Sequence, residues 1–106
     1  MELKDQTTSG FLTEALRLVE GDRARTHGDK LQNFENLATM WNAYLKIRGF
    51  NVELRASDAA EMMSYSKKVR KVGGEYNPDD YVDDSAYSAI AGECRRAEIT
   101  ASWIDA

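Results

Sequence analysis

The sequence predicts an all-α fold of four helices in a single domain, residues 1–106. Apolar residues recur three and four positions apart along most of the chain, which is the period of an amphipathic helix. Glycines and the only proline divide these stretches into segments of helical length. The residues at 50–56 alternate apolar and polar but have no obvious partner strand, so we interpret them as an extended connection.

The first helix follows a polar segment, residues 1–8, that we predict to be disordered. Ser9 precedes the helix as a candidate N-cap, and Gly21 ends it. The apolar residues that follow helical spacing are Phe11, Leu12, Ala15, Leu16 and Val19.

The second helix follows a loop at 21–29 that has a glycine near each end. Asp29 can cap this helix and Gly49 stops it. Its apolar stripe is formed by Phe34, Leu37, Ala38, Trp41, Tyr44 and Leu45. We interpret the aromatic residues, together with Met62 and Met63, mainly as core, although some of them could form the wall of a base pocket, since aromatic faces stack on bases.

The third helix is predicted to start after Ser57 as N-cap and to run to about Val72, where two glycines end it. The fourth helix begins near Asp79, just after the proline, and runs towards residue 103. The four helices predict a bundle to which the last three contribute most, and we expect self-association to complete it, because a chain of this length buries only a modest core.

Composition narrows the classes of function. Eighteen acidic and fourteen basic residues give a net charge of -4, which argues against a general binder of DNA or RNA duplexes. The charge does not exclude a single nucleotide, whose phosphates Mg²⁺ can bridge to carboxylates. One cysteine, Cys94, rules out an internal disulfide. With no apolar run of membrane-spanning length and no signal peptide, we expect a cytoplasmic protein without membrane contact.

Two pairs of acids have the spacing of metal ligands. Asp58 and Glu61 lie three residues apart on the third helix, and Asp80 and Asp83 lie three apart on the fourth. If the pairs converged, their oxygens would suit Mg²⁺ or Mn²⁺. Acids at a helix start are also favoured by the helix dipole. In an antiparallel hairpin the two helix starts lie at opposite ends, so convergence needs a crossed packing or a partner subunit.

A basic run follows the first acid pair: Lys67, Lys68, Arg70 and Lys71. One interpretation is a solvated face. The other is a phosphate clamp, with lysine as a point charge and arginine as a fork on the phosphate oxygens.

Several segments of the chain resemble a family of small, all-α proteins carried by phages and prophages, which have no established function. The segments are RARTHGDKLQNFENLATMWNAYL, DAAEMMSYSKKVR and DDYVDDSAY, and the match covers roughly residues 20–93. The matching positions are Arg25, His27, Gly28, Asn33, Phe34, Trp41, Tyr44, Asp58, Met62, Met63, Lys67, Arg70, Asp79, Asp83 and Tyr87.

That family in turn is similar to the MazG-type all-α nucleoside triphosphate pyrophosphohydrolases, which carry ExxE and ExxD on neighbouring helices of a bundle. The resemblance implies a MazG-like four-helix bundle, Mg²⁺ (or Mn²⁺) as cofactor, and a homo-dimer or homo-tetramer. Asp58 and Glu61 would stand for the first pair of metal ligands, and Asp80 and Asp83 for the second. Aspartate replaces glutamate at positions 58 and 80, which moves a ligand by about one methylene and puts full two-metal catalysis in question.

The leading hypothesis is a Mg²⁺-dependent pyrophosphohydrolase that cuts an NTP or dNTP to monophosphate and pyrophosphate. Its four carboxylates would hold metal and orient water, while Lys67 and Arg70 would bind phosphate. Asn33, Phe34 and Trp41 would bind the base. The alternatives are a phage protein that binds or sequesters a nucleotide without turnover, and an interaction protein that docks a host partner, acting in the host cytoplasm if phage-borne.

Overall fold

The computed structural model describes residues 1–21 and 29–105. Within them, a short 3-10 turn at Leu3–Asp5 precedes four α-helices, and no strand is present. The helices are α1 (Thr8–Glu20), α2 (Lys30–Ile47), α3 (Ala56–Gly73) and α4 (Pro78–Asp105). The prediction of an all-α chain with four helices is therefore confirmed. The predicted disorder of residues 1–8 stays a prediction.

The helix starts differ from two sequence predictions. Thr7, not Ser9, is the N-cap of α1, because its side chain accepts a hydrogen bond from Gly10 N at 3.0 Å. At α3, Arg55 is the N-cap and Ser57 already lies in the first turn. Its hydroxyl instead donates to Glu98 of α4 at 2.9 Å. Both serines were wrong as caps because each helix starts earlier than predicted, so that Ser9 and Ser57 already lie in the first turn.

The end of α2 and the connection to α3 match the predictions. Asp29 caps the start by accepting from Leu31 N at 2.9 Å. Gly49, with φ of 92°, follows the helix in the left-handed conformation that glycine adopts without strain. The extended connection is held to α2 by Asn42, whose amide both donates to Leu54 O and accepts from Leu54 N, at 2.9 and 2.7 Å.

The helices α3 and α4 form an antiparallel hairpin that is the most extensive contact of the fold, with α1 packed on α4 and α2 mainly on α3. The contact is made through small side chains. Among the described residues, Ala59 and Ala60 are fully buried, and the largest fully buried side chains are Val82, Cys94 and Ser64. The interior of one chain is therefore thin, and much apolar surface stays in contact with solvent.

Some residues predicted as core lie on the surface. Tyr44 and Met62 are both exposed, whereas Phe34, Trp41 and Met63 are half-buried. Helical spacing identifies a stripe but not which stripe is covered, since α2 and α3 each carry apolar residues on more than one face. In the part of the chain that the structure describes, no helix has the length and apolarity to cross a membrane.

Candidate functional site

The contact between the second half of α3 and the first half of α4 is rich in paired charges. Because the helices are antiparallel, the basic run of α3 lies against the aspartates that open α4. We call the following residues the charged cluster: Ser64, Lys67, Lys68, Arg70, Lys71, Asp80, Asp83 and Asp84. The neighbouring aspartates of α4 are thus paired with basic side chains of the same chain.

Asp84 is the centre of the charged cluster. It is only 6% exposed, and it accepts hydrogen bonds from the Ser64 hydroxyl and from the ammonium groups of Lys68 and Lys71. Lys68 donates to Asp84 at 2.8 Å and also to Ser64 at 2.8 Å. Burial by itself would raise the pKa of the Asp84 carboxyl, but the three hydrogen bonds outweigh it and lower the pKa to about 2.

This lowered pKa predicts an acid-dependent loss of stability. Since the pKa of Asp84 falls from 3.8 in its ordinary state to about 2 in the folded chain, its contribution is fully present above about pH 4 and is lost as the pH falls towards 2. We expect the free energy of unfolding, measured by urea titration, to fall more steeply over this interval in the wild type than in Asp84→Asn. Parallel pH curves for the two proteins would contradict the assignment.

The predicted pair Asp80 and Asp83 is engaged by cations. Arg70 Nε lies 3.2 Å from Asp80 Oδ1, and Lys67 Nζ lies 3.2 Å from Asp83 Oδ2. Asp80 is only 4% exposed, so its carboxylate faces the helix contact rather than solvent. The structure therefore brings together the two predicted phosphate-binding residues and the second pair of predicted carboxylates.

The first predicted pair lies elsewhere. Asp58 is in the first turn of α3, at the other end of the hairpin, where its Oδ2 accepts from Arg55 N at 2.8 Å. Glu61, one turn later, is half-buried. The pKa of Lys68 is raised mainly by its hydrogen bond to Asp84, and the charge of Glu61 adds to this effect. Asp58 is thus occupied in capping α3, while Glu61 lies between Asp58 and the basic run along α3.

The arrangement bears on the predicted cofactor. Within residues 1–21 and 29–105, no three Asp, Glu, His or Cys side chains are grouped so that they could hold a metal ion. Asp80 and Asp83 each already contact a cation of α3. The four carboxylates do not fit a shared Mg²⁺ site in this arrangement, and their roles in metal binding and catalysis stay predictions.

The predicted base-binding residues all lie on α2. Phe34 packs edge-on against Tyr87 of α4, with ring centroids 6.1 Å apart. Tyr87 follows Asp83 by one turn, so this ring pair adjoins the charged cluster. Trp41 is half-buried two turns further along α2, and Asn33 is exposed. Three residues of the family pattern, Arg25, His27 and Gly28, lie outside the described residues.

Ser64 and Asp84 were not among the predicted site residues, and Lys68 and Lys71 were predicted only as part of the basic run. Their spacing carried a signal, because Ser64, Lys68 and Lys71 are separated by four and three residues and so share one face of α3. Spacing alone could not show which of Asp83 and Asp84 faces α3. Both aspartates face α3 in the structure and pair with different lysines.

Aromatic rings lie beside the cations of the charged cluster. Lys68 Nζ is 5.5 Å from the centre of the Tyr65 ring, and Lys71 Nζ is 4.5 Å from that of Tyr81. Tyr76 lies 5.9 Å from Tyr81, and both rings are exposed, as is Tyr65. Exposed rings next to ammonium groups can take part in stacking on an aromatic ligand that carries negative charge.

Comparison with known proteins gives a family and two curated relatives. Residues 10–95 match DUF6378, a domain of unknown function. The chain is 35% identical over 80 residues to the Gene 55 protein of Mycobacterium phage L5, and 30% identical over 81 residues to that of Mycobacterium phage D29. Each match covers 76% of this chain, and the chain spans about half the length of these curated relatives. No solved structure matches it.

Proposed function

This chain belongs to the DUF6378 family, and we propose that it is a nucleotide-binding protein whose phosphate site is the charged cluster. The observation that carries the proposal is the gathering of four basic side chains on three aspartates at one end of the α3–α4 hairpin. The cluster has one cation more than it has aspartates. Lysine and arginine there are already held in place by their carboxylate partners, which lowers the entropy lost on binding an anion.

Two of the cations face solvent far enough to reach a ligand. The side chains of Lys68 and Arg70 are 48% and 58% exposed, whereas Lys67 and Lys71 are mostly covered. An ammonium and a guanidinium group are the usual donors to phosphate oxygens. Lys68 and Arg70 are therefore the phosphate contacts in this proposal, with Arg70 already among the predicted residues. Lys67 holds Asp83 and supports the cluster from inside.

The base is assigned to aromatic residues that border the cluster. The exposed ring of Tyr65 lies beside Lys68, and the exposed ring of Tyr76 lies against Tyr81, the ring beside Lys71. Phe34, with Asn33 and Trp41, offers the alternative base site on α2, since Phe34 contacts Tyr87 one turn from Asp83. Binding of a nucleotide through its phosphates and a stacked base needs neither a metal ion nor turnover.

A second candidate is the Mg²⁺-dependent pyrophosphohydrolase. It is supported by the DxxE and DxxD spacing of Asp58, Glu61, Asp80 and Asp83 and by the resemblance to MazG-type enzymes. For this function the cations of α3 would have to leave Asp80 and Asp83. A third candidate, a protein that docks a host partner, predicts no nucleotide binding.

Replacing Lys68 and Arg70 together with alanine should weaken nucleotide binding at least about tenfold, because each lost charge-assisted hydrogen bond costs about 1.5 kcal/mol or more. The measurement is a calorimetric titration with ATP and the other NTPs in EDTA. The matched control is Lys46→Ala with Arg48→Ala, which removes one lysine and one arginine at the exposed end of α2. Equal affinities in the two double variants would place the phosphates elsewhere.

A further inference from the structure

The segment that precedes α1 reaches the neighbourhood of the charged cluster through one hydrogen bond. Gln6 Oε1 accepts from the hydroxyl of Tyr76, which lies in the loop between α3 and α4, with 2.6 Å between the two atoms. The other polar atom of the same amide, Nε2, donates to Met1 O at 3.2 Å. Because both ends of the amide are engaged, Gln6 has a defined orientation and joins two parts of the chain that are 70 residues apart.

A glycine in α1 lets Gln6 come to this position. The 3-10 turn at Leu3–Asp5 folds back onto the start of α1, and a Cβ at Gly10 would overlap Asp5 O. This close approach of two backbone segments therefore requires glycine at position 10. Gln6 follows the turn directly and donates its backbone N–H to Leu3 O at 3.1 Å. The packed turn thus presents the Gln6 side chain towards Tyr76.

Tyr76 belongs to a row of three aromatic rings. Its centroid lies 5.9 Å from that of Tyr81 on α4, which lies 5.8 Å from that of Phe11 on α1. Phe11 is half-buried, whereas Tyr76 is 61% exposed, so the row runs from the interior to solvent. Lys71 of the charged cluster lies over the middle ring, Tyr81. Tyr76 is therefore held by its ring neighbour and by its hydroxyl while much of its surface faces solvent.

The other rings that could take a base lack this combination. Tyr65 is exposed, but within the described residues its ring contacts only Lys68 and its hydroxyl makes no hydrogen bond. Phe34 is half-buried, with its ring against Tyr87. A ring that is already held in place loses less freedom when a base stacks on it. Tyr76 is thus the ring that is both accessible and restrained.

We propose that the base of the bound nucleotide stacks on Tyr76, and that Gln6 is the positioning residue that holds this ring. The inference rests on the proposed function and selects one of the base sites named there. The position of the phosphate contacts supports it. Arg70 pairs with Asp80, the residue directly before Tyr81, so phosphates bound at Arg70 lie beside the aromatic row. The turn before α1 thereby becomes part of the nucleotide site.

A double-mutant cycle tests the role of Gln6. Gln6→Leu removes the acceptor, and Tyr76→Phe removes the donor but keeps the ring. Each variant should bind ATP about fivefold more weakly in EDTA, as expected for one lost hydrogen bond, and the double variant should lose no more than either single one. Affinity for inorganic tripolyphosphate, which has no base, should stay unchanged in all three. The matched control is Gln32→Leu, which removes an exposed glutamine that donates to Asn36 on α2 and should bind ATP as the wild type does.

Tyr76→Ala tests the stacking itself. It should weaken ATP binding more than Tyr76→Phe does and leave tripolyphosphate binding unchanged, because it removes the whole ring. Unchanged ATP affinity in Gln6→Leu or in Tyr76→Ala, or additive losses in the double variant, would overturn the inference and leave the charged cluster as the phosphate site. Equal weakening of ATP and tripolyphosphate binding would also overturn it, because Gln6 would then act on the cluster and not on the base. A wild type that binds neither ligand would contradict the proposed function as well.

Discussion

Replacing Asp84 with alanine is expected to lower the free energy of unfolding by about 3 kcal/mol, because breaking a buried ion pair leaves its partners uncompensated. Asp84 is buried and receives hydrogen bonds from Ser64, Lys68 and Lys71. Without it, two lysines face each other across a buried hydroxyl. The effect should exceed that of most surface substitutions, which stay within about 0.5 kcal/mol.

Urea unfolding at pH 7 and at one protein concentration measures this loss, since self-association would make stability depend on concentration. Asp79→Ala is the matched control, because Asp79 is an exposed aspartate in the first turn of the same helix. We expect it to cost far less than Asp84→Ala. An equal loss of unfolding free energy in the two variants would show that the start of α4 needs negative charge in general. The charged cluster would then not depend on Asp84.

Replacing Ala60 with leucine is expected to cost about 2 kcal/mol by overpacking the contact between α3 and α4. Ala60 has no exposed surface, and Ala59 and Ala91 are further small residues of the same two helices that are buried. A larger side chain must push the helices apart, and with them the paired charges of the cluster. The same unfolding titration measures the effect.

Ala89→Leu is the control for this substitution, because Ala89 lies on the exposed side of α4. It should leave stability nearly unchanged. If Ala60→Leu were also neutral, the helices would tolerate separation, and the close approach through alanines would not determine the position of the charged cluster.

Much of the fold followed from the sequence. The helical period, Asp29 as a cap and Gly49 as a stop predicted the bounds of α2. These signals can be read from the sequence because each depends only on residues nearby in the chain. The caps of α1 and α3 were wrong by two residues, because Thr7 caps α1 in place of Ser9 and because α3 starts directly after Arg55, which leaves Ser57 in its first turn. The exposure of Met62 and Tyr44 depends on how helices pack, which local spacing does not specify.

The site was predicted in part. The acids of α4 and the basic run of α3 were recognised as site residues, but the pairing of Lys67 with Asp83 and Arg70 with Asp80 depends on the register of the two helices. Asp84 was not predicted as a site residue, because the sequence alone does not distinguish it from Asp83, the aspartate next to it. The family resemblance led to the interpretation of the acids as metal ligands. In the structure, Asp80, Asp83 and Asp84 instead contact lysine and arginine side chains.

The most direct test of nucleotide binding by the charged cluster is a panel of NTPs and dNTPs incubated with the wild-type chain, once in EDTA and once in Mg²⁺. Affinity and release of pyrophosphate are measured in both. The account predicts binding that persists in EDTA, without turnover. Pyrophosphate release that requires Mg²⁺ and is lost in Asp83→Ala would establish the pyrophosphohydrolase instead. No binding of any nucleotide in either condition would contradict the account and leave the docking of a protein partner as the remaining function.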